Sequence, residues 1–157
     1  MSENPFTAFK NRFLQMLLRN APGAQSLRVW LNRWRGVKIG QNCWIGYDAV
    51  IETSYPHLVT IHDNATVGIR AVIVAHFREQ TGVTIEEGAT IGPGAIVLPN
   101  VTIGRGSIVT AGSVVTTSVP PMTMVQGNPA RPVARIGVVI QKDMTVKEFS
   151  KHLRPVR

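Results

Sequence analysis

The sequence predicts an all-β solenoid, a parallel β-helix of hexapeptide repeats with short helical N- and C-terminal flanks. Three observations carry this. First, aliphatic residues recur every six positions: Ile39, Ile45 and Ile51, then Ile61, Val67, Ile73, Glu79, Ile85, Ile91, Val97, Ile103, Val109 and Val115. Twelve of these thirteen are Ile or Val. Second, the next position is often glycine: Gly40, Gly46, Gly68, Gly92 and Gly104. Third, the fifth position is small or short, as at Cys43, Ala49, Ala65, Ala71, Ala89, Ala95, Ser107 and Ser113.

Neither an α-helix nor a hairpin meander accommodates this pattern. So many glycines and β-branched residues at fixed spacing disfavour a helix, and hairpins hold no strict period of six. A coil of three short strands fits, with one hexad per strand and corner. Ile and Val then point into a narrow shaft, small residues fill the corners, and the glycines supply positive φ there. About four coils at a rise of ~4.8 Å make a prism ~20 Å tall, with ends that need caps.

Two segments break the pattern. Four extra residues fall between Ile51 and Ile61, around Tyr55-Pro56-His57-Leu58. The second break, His76 to Gly82, keeps the count but puts Glu79 in an aliphatic slot. A carboxylate in the shaft is costly, so this stretch is expected to leave the wall as a loop. The chain divides into a helical N-terminal cap (1–36), the β-helix (37–121, with loops 52–60 and 76–84) and a C-terminal extension (122–157).

The flanks are read as helical. Residues 6–19 gather Phe6, Phe9, Phe13, Met16 and Leu17 on one face, with Lys10, Arg12 and Arg19 around the other. This helix suits a cap over the open end of the solenoid and also the surface of a membrane; the cap is preferred. Ser26 to Trp34 forms a second short helix. Thr145 with Glu148 makes a capping-box pattern ahead of a helix to Leu153.

Composition narrows the function. The 157 residues are 44% hydrophobic and 17% charged, as expected of a globular chain. The net charge of +8 sits in the flanks, +6 over 1–38 and +5 over 131–157, while 39–130 carries −3. Basic residues interleaved with aromatic ones are missing, which argues against nucleic acid. One cysteine, Cys43, excludes an internal disulfide framework and a cysteine metal cluster. No secretory signal is evident, so a cytoplasmic location is expected, with peripheral contact at the inner membrane surface as an extension of it.

The hexads, the run Val101 to Pro121 (VTIGRGSIVTAGSVVTTSVPP) and Gly-Asn-Pro-Ala-Arg (Gly127 to Arg131) together resemble the hexapeptide-repeat acyltransferases. The likeness is to the maltose, galactoside and polysaccharide O-acetyltransferases and covers about residues 36–136. It implies a left-handed β-helix, a homotrimer with sites at subunit interfaces, and acetyl-CoA as co-substrate. It also implies acetyl transfer to a hydroxyl of a sugar, polysaccharide or glycolipid precursor. The family's catalytic histidine follows a repeat strand where a loop begins, and Ile73-Val74-Ala75-His76 matches. The chemistry points the same way, since taking a hydroxyl proton needs a base near neutral pKa. Of the four histidines only His76 stands at the broken frame; His57, His62 and His152 are read as ordinary surface residues.

Glu79 is the acid nearest in sequence to orient His76. The resemblance further implies an oxyanion donor at Gly92 or Gly94, and pantetheine contacts at Ala111, Gly112, Thr116 and Thr117. Arg131 and Arg135 are the phosphate partners it implies. Many relatives have a lysine where Thr117 stands. No metal is expected: the zinc-binding γ-type carbonic anhydrases need histidines in the central hexads, and Thr90 to Leu98 has none. Three alternatives stand beside the O-acetyltransferase: a serine acetyltransferase, an amino-sugar acetyltransferase and a non-catalytic β-helix scaffold.

Overall fold

The computed structural model describes residues 4–77, 82–140 and 143–156. Its centre is a three-sided parallel β-solenoid, the architecture expected of a left-handed β-helix. The first face stacks β1 (Lys38–Ile39), β4 (Val59–Ile61), β7 (Val83–Ile85) and β10 (Val101–Ile103). The second stacks β2 (Trp44–Ile45), β5 (Thr66–Val67), β8 (Thr90–Ile91) and β11 (Ile108–Val109). The third stacks β3 (Val50–Ile51), β6 (Val72–Ile73), β9 (Ile96–Val97) and β12 (Val114–Val115). All these pairings are parallel, and the hexad residues stack on one another: Ile39 on Ile61, Ile61 on Ile85, Ile85 on Ile103.

The shaft is aliphatic. Ile45, Ile51, Ile61, Ile73, Ile85, Ile91 and Ile103 are essentially fully buried, and the small fifth-position residues point inward beside them. The glycines play a different part from the one expected. Positive φ falls at the fourth place of the hexad, at Asn42, Asp48, Asn64 and Arg70 as well as at several glycines. The second-place glycines answer instead to close approach between coils. A Cβ on Gly46 would lie 2.4 Å from the Ile69 nitrogen, and one on Gly68 would lie 2.6 Å from the Ile91 oxygen.

The register also explains the two breaks. From Ile61 to Ile85 is 24 residues, and from Ile85 to Ile103 is 18. The second coil is therefore longer by one whole hexad, which is why the six-residue count survives while the aliphatic slot at Glu79 does not. The first coil, Ile39 to Ile61, has 22 residues and carries its four extra ones in a turn over Pro56–Leu58.

Two helices close the N-terminal end: α1 (Pro5–Asn20), begun by the Asn4 side chain accepting from the Phe6 N–H, and α2 (Leu27–Arg35), ended by Gly36 at φ 113°. Carbonyls of the first coil have no coil below them, and side chains from these helices satisfy them. Arg33 donates to the oxygens of Ile39 and Gly40, Gln15 to Ala49, and Arg35 to Ile51 and Glu52. The end of a solenoid thus asks for polar partners, and α1 presents Asn11, Gln15, Ala8, Leu14 and Leu18 to the chain. The Phe side of α1 is turned outward, so the helix caps the solenoid with the face opposite to the aromatic one.

At the other end β13 (Thr123–Gly127) adds to the second face in parallel beside β11, and β14 (Ala130–Ile136) pairs with it antiparallel. Helix α3 (Val146–Ser150) carries the reciprocal Thr145–Glu148 capping box. It is shorter than expected because β15 (Leu153–Pro155) pairs with β14. No helix among the described residues is long and apolar enough to cross a membrane.

Candidate active site

Where the third face gives way to the first, the register places the end of β3 beside the end of β6. Ile51 pairs with Ile73, and the Glu52 N–H donates to the Ile73 oxygen at 2.8 Å. The chain after β3 therefore passes beside Ala75 and His76. The Glu52 side chain is buried, 3% exposed, and fully occupied. Its Oε1 accepts from the N–H groups of Ser54 (2.9 Å) and Tyr55 (3.2 Å), and its Oε2 from the Ala75 N–H at 2.9 Å. His76 Nδ1 lies 2.7 Å from Oε2.

This geometry fixes the chemistry of His76. Burial pushes the Glu52 carboxyl upward, but hydrogen bonds from His76, Ala75, Ser54 and Tyr55 outweigh it and hold the group below the usual glutamate value. An ionised carboxylate only accepts, so Nδ1 carries a proton, and in the neutral imidazole Nε2 then presents its lone pair. The imidazole is one-third exposed, so Nε2 can meet a ligand. Tyr55 packs its ring against His76 edge-on, with centroids 5.0 Å apart and planes at 76°. Phe77, next in the chain, is 81% exposed.

Arg35 backs the pair. Its guanidinium is buried beneath Glu52 and donates to the Gln15 Oε1, the Asn32 Oδ1 and the Ile51 and Glu52 carbonyls. Burial lowers its pKa to about 10, partly offset by the Glu52 charge, so it stays cationic at neutral pH.

Glu79 lies outside the described residues. Among the described residues the acid that meets His76 is Glu52, 24 positions earlier, in the hexad slot that is often glycine elsewhere. In a solenoid the spatial neighbour is one coil away in sequence, and that periodicity was the signal available for finding it.

The remaining candidate residues separate by edge. Gly92 and Gly94 lie between the second and third faces, and Ala111 and Gly112 lie on the next coil along the same edge, the Gly112 N–H donating to the Pro93 oxygen. The hairpin Gly127–Ala130 closes that edge, the Gly127 N–H donating to Ser113 Oγ at 3.1 Å, with the exposed Arg131 opposite Gln126. Arg135 is at the far end of the hairpin, opposite Thr123 and bonded to its hydroxyl at 3.0 Å, away from Arg131. Thr116 and Thr117 follow β12, on the same edge as His76 but two coils on. Gly92 and Gly94 both spend their N–H groups on neighbouring coils, on the oxygens of Val109 and Ile69, which removes them as oxyanion donors. His76 and the Gly92–Arg131 edge thus sit on different edges of one chain. Among the described residues no hydrogen bond or ion pair is seen between this pair and His57, His62 or His152; His57 makes the other edge-on contact of Tyr55, with centroids 6.2 Å apart. Among the described residues no group of three His, Cys, Asp or Glu side chains is placed to hold a metal.

Known proteins share this architecture. A family model described as bacterial transferase hexapeptide (six repeats) matches residues 82–117, and one described as hexapeptide repeat of succinyl-transferase matches 36–68 and 58–99. No curated protein sequence matches the chain. Among solved structures, a hexapeptide-repeat-containing acetyltransferase from Vibrio cholerae superposes with a TM-score of 0.67 at 21% identity, over 86% of this chain and 93% of that one. A galactoside acetyltransferase in complex with coenzyme A gives 0.61 at 21% identity, over 83% and 81%. A serine acetyltransferase from Brucella abortus gives 0.59 at 22% identity, over 80% of this chain but only 54% of that one. The two repeat models together span residues 36–117, just over half of the chain and the whole of its solenoid, and the chain belongs to the hexapeptide-repeat family.

Proposed function

We propose that the chain is an acetyl-CoA-dependent O-acetyltransferase that acts on a hydroxyl of a sugar or glycan, with His76 as general base. The observation that carries this is the Glu52–His76 pair, which in the neutral imidazole turns the Nε2 lone pair outward beside the exposed Phe77. His76 Nε2 takes the proton of the acceptor hydroxyl as its oxygen attacks the thioester carbonyl carbon. The tetrahedral oxyanion collapses, the C–S bond breaks, and the imidazolium returns its proton to the CoA sulfur. Phe77 offers an exposed ring beside His76 on which the apolar face of a sugar can stack.

The CoA arm is assigned to the edge formed by Gly92, Gly94, Ala111 and Gly112, with Arg131 toward its phosphates. Ala111 is exposed, and its N–H has no acceptor among the described residues, so it is open to a pantetheine carbonyl. Because this edge and His76 lie apart in one chain, a complete site needs the edge of a second copy against the His76 edge of the first. A homotrimer supplies that three times over. The Vibrio cholerae protein complexed with acetyl coenzyme A and the galactoside acetyltransferase with coenzyme A support this ligand class.

A serine or amino-sugar acceptor is the second reading, since a serine acetyltransferase and a sugar N-acyltransferase share the fold. The test is CoA release from acetyl-CoA across sugars, glycans, serine and amino sugars, wild type against His76→Ala. His76→Ala is expected to lose about 10²- to 10⁴-fold in kcat. Undiminished turnover in that variant would sink the general-base role. Turnover confined to serine or to amines would replace the glycan acceptor, and failure to bind acetyl-CoA at all would favour a scaffold.

A further inference from the structure

Helix α1 turns its most apolar side away from the rest of the chain. Leu14, Leu18, Asn11 and Gln15 are buried against α2 and the solenoid end, whereas Phe6 and Phe9 are 79% and 70% exposed. Phe13, Met16 and Leu17 are exposed with them. At 3.6 residues per turn the two groups lie on opposite sides of the helix, and Lys10 and Arg12 fall on the two borders of the apolar stripe. The rings of Phe9 and Phe13 stack with centroids 6.0 Å apart, forming with Pro5, Arg12 and Met16 one continuous groove. The buried side already meets the needs of the solenoid end, so the stripe has no role in capping it.

Charge indicates what covers this stripe. Between residues 4 and 38 there is no Asp or Glu, against seven Lys and Arg. A second copy docking here about a two-fold axis would bring the same net positive charge together. An anionic bilayer supplies the opposite charge and an apolar layer just beneath it. We propose that α1 docks on an anionic lipid surface. It lies in the interface plane, with its Phe side chains at the headgroup–acyl boundary and Lys10 and Arg12 level with the lipid phosphates. This inference stands apart from the acyl-transfer reading, because neither Glu52 nor His76 takes part in it.

The test is co-sedimentation of the full chain with vesicles of phosphatidylcholine alone and of phosphatidylcholine mixed equally with phosphatidylglycerol, at low and high salt. The chain is expected to bind the mixed vesicles, to bind the neutral ones more weakly, and to be released by salt. The double variant Phe9→Ser/Phe13→Ser is expected to lose roughly tenfold or more in binding. Its melting midpoint should stay unchanged, because both side chains are exposed. Lys10→Gln/Arg12→Gln is expected to weaken binding to the mixed vesicles roughly tenfold. Absence of binding to the anionic vesicles, or equal binding by wild type and the Phe variant, overturns the proposal. A Phe variant that changes only the oligomeric state by light scattering also overturns it, and makes the stripe a contact between copies.

Discussion

At Glu52 a single side chain accepts four hydrogen bonds, and each has a consequence that can be measured. Glu52→Gln replaces an acceptor-only group with an amide that can donate toward Nδ1, so the imidazole loses the tautomer that frees Nε2. The variant is expected to lose roughly 10²-fold in kcat, with the KM for acetyl-CoA little changed, as steady-state kinetics will show. Its pH behaviour follows from the depressed carboxyl. The stabilisation Glu52 gives the fold is fully present above the ordinary glutamate value of about 4.3 and is lost as pH falls through the lower folded value. The acid limb of the unfolding curve should therefore flatten in Glu52→Gln. His76 was legible in the sequence because it stands where the repeat falters. Glu52 was not, because distance along the chain misleads in a coil where the partner is a full turn away, and Tyr55 was hidden for the same reason.

Among the elements, α1 shows how a sound pattern can be assigned the wrong partner. Its amphipathic spacing was readable from Phe6, Phe9 and Phe13. Which side would face the solenoid was not, because the usual rule sends the apolar face inward. The end of a β-solenoid is a row of unpaired backbone groups; Gln15, Arg33 and Arg35 satisfy its oxygens, and the Ala24 and Arg19 carbonyls accept from its Ile45 and Asp48 N–H groups. Arg35→Met is expected to cost about 3 kcal/mol, since it leaves the Ile51 and Glu52 carbonyls and the Gln15 oxygen without a donor in a buried setting. Urea unfolding will measure this. The same variant should lower kcat, because the loop that carries Glu52 is held from beneath by that guanidinium. The solenoid strands, by contrast, were legible almost residue by residue: a period of six with Ile and Val inward has one compact solution, and Ile61 on Ile85 on Ile103 is that solution.

For the molecule as a whole, separate edges carry the base and the proposed CoA groove, which predicts complementation between defective copies. Mixed assemblies of His76→Ala with Arg131→Ala, made by co-expression, are expected to show more turnover than either parent alone, since some interfaces then pair an intact histidine with an intact arginine. Turnover no greater than in the parents would place the whole site in one chain. The coil-to-coil spacing has a further effect, on tolerance rather than activity. Glu52 and His76 sit on adjacent rungs, and the ladder bond from the Glu52 N–H to the Ile73 oxygen ties those rungs together. The backbone therefore acts as a ruler whose graduations cannot be adjusted locally. An aspartate at position 52 keeps the charge but falls short by one methylene, about 1.5 Å. Neither strand can move to close that gap without breaking the stack of Ile51 on Ile73. Glu52→Asp is accordingly expected to be as impaired in kcat as Glu52→Gln, so that at this position length counts for as much as charge.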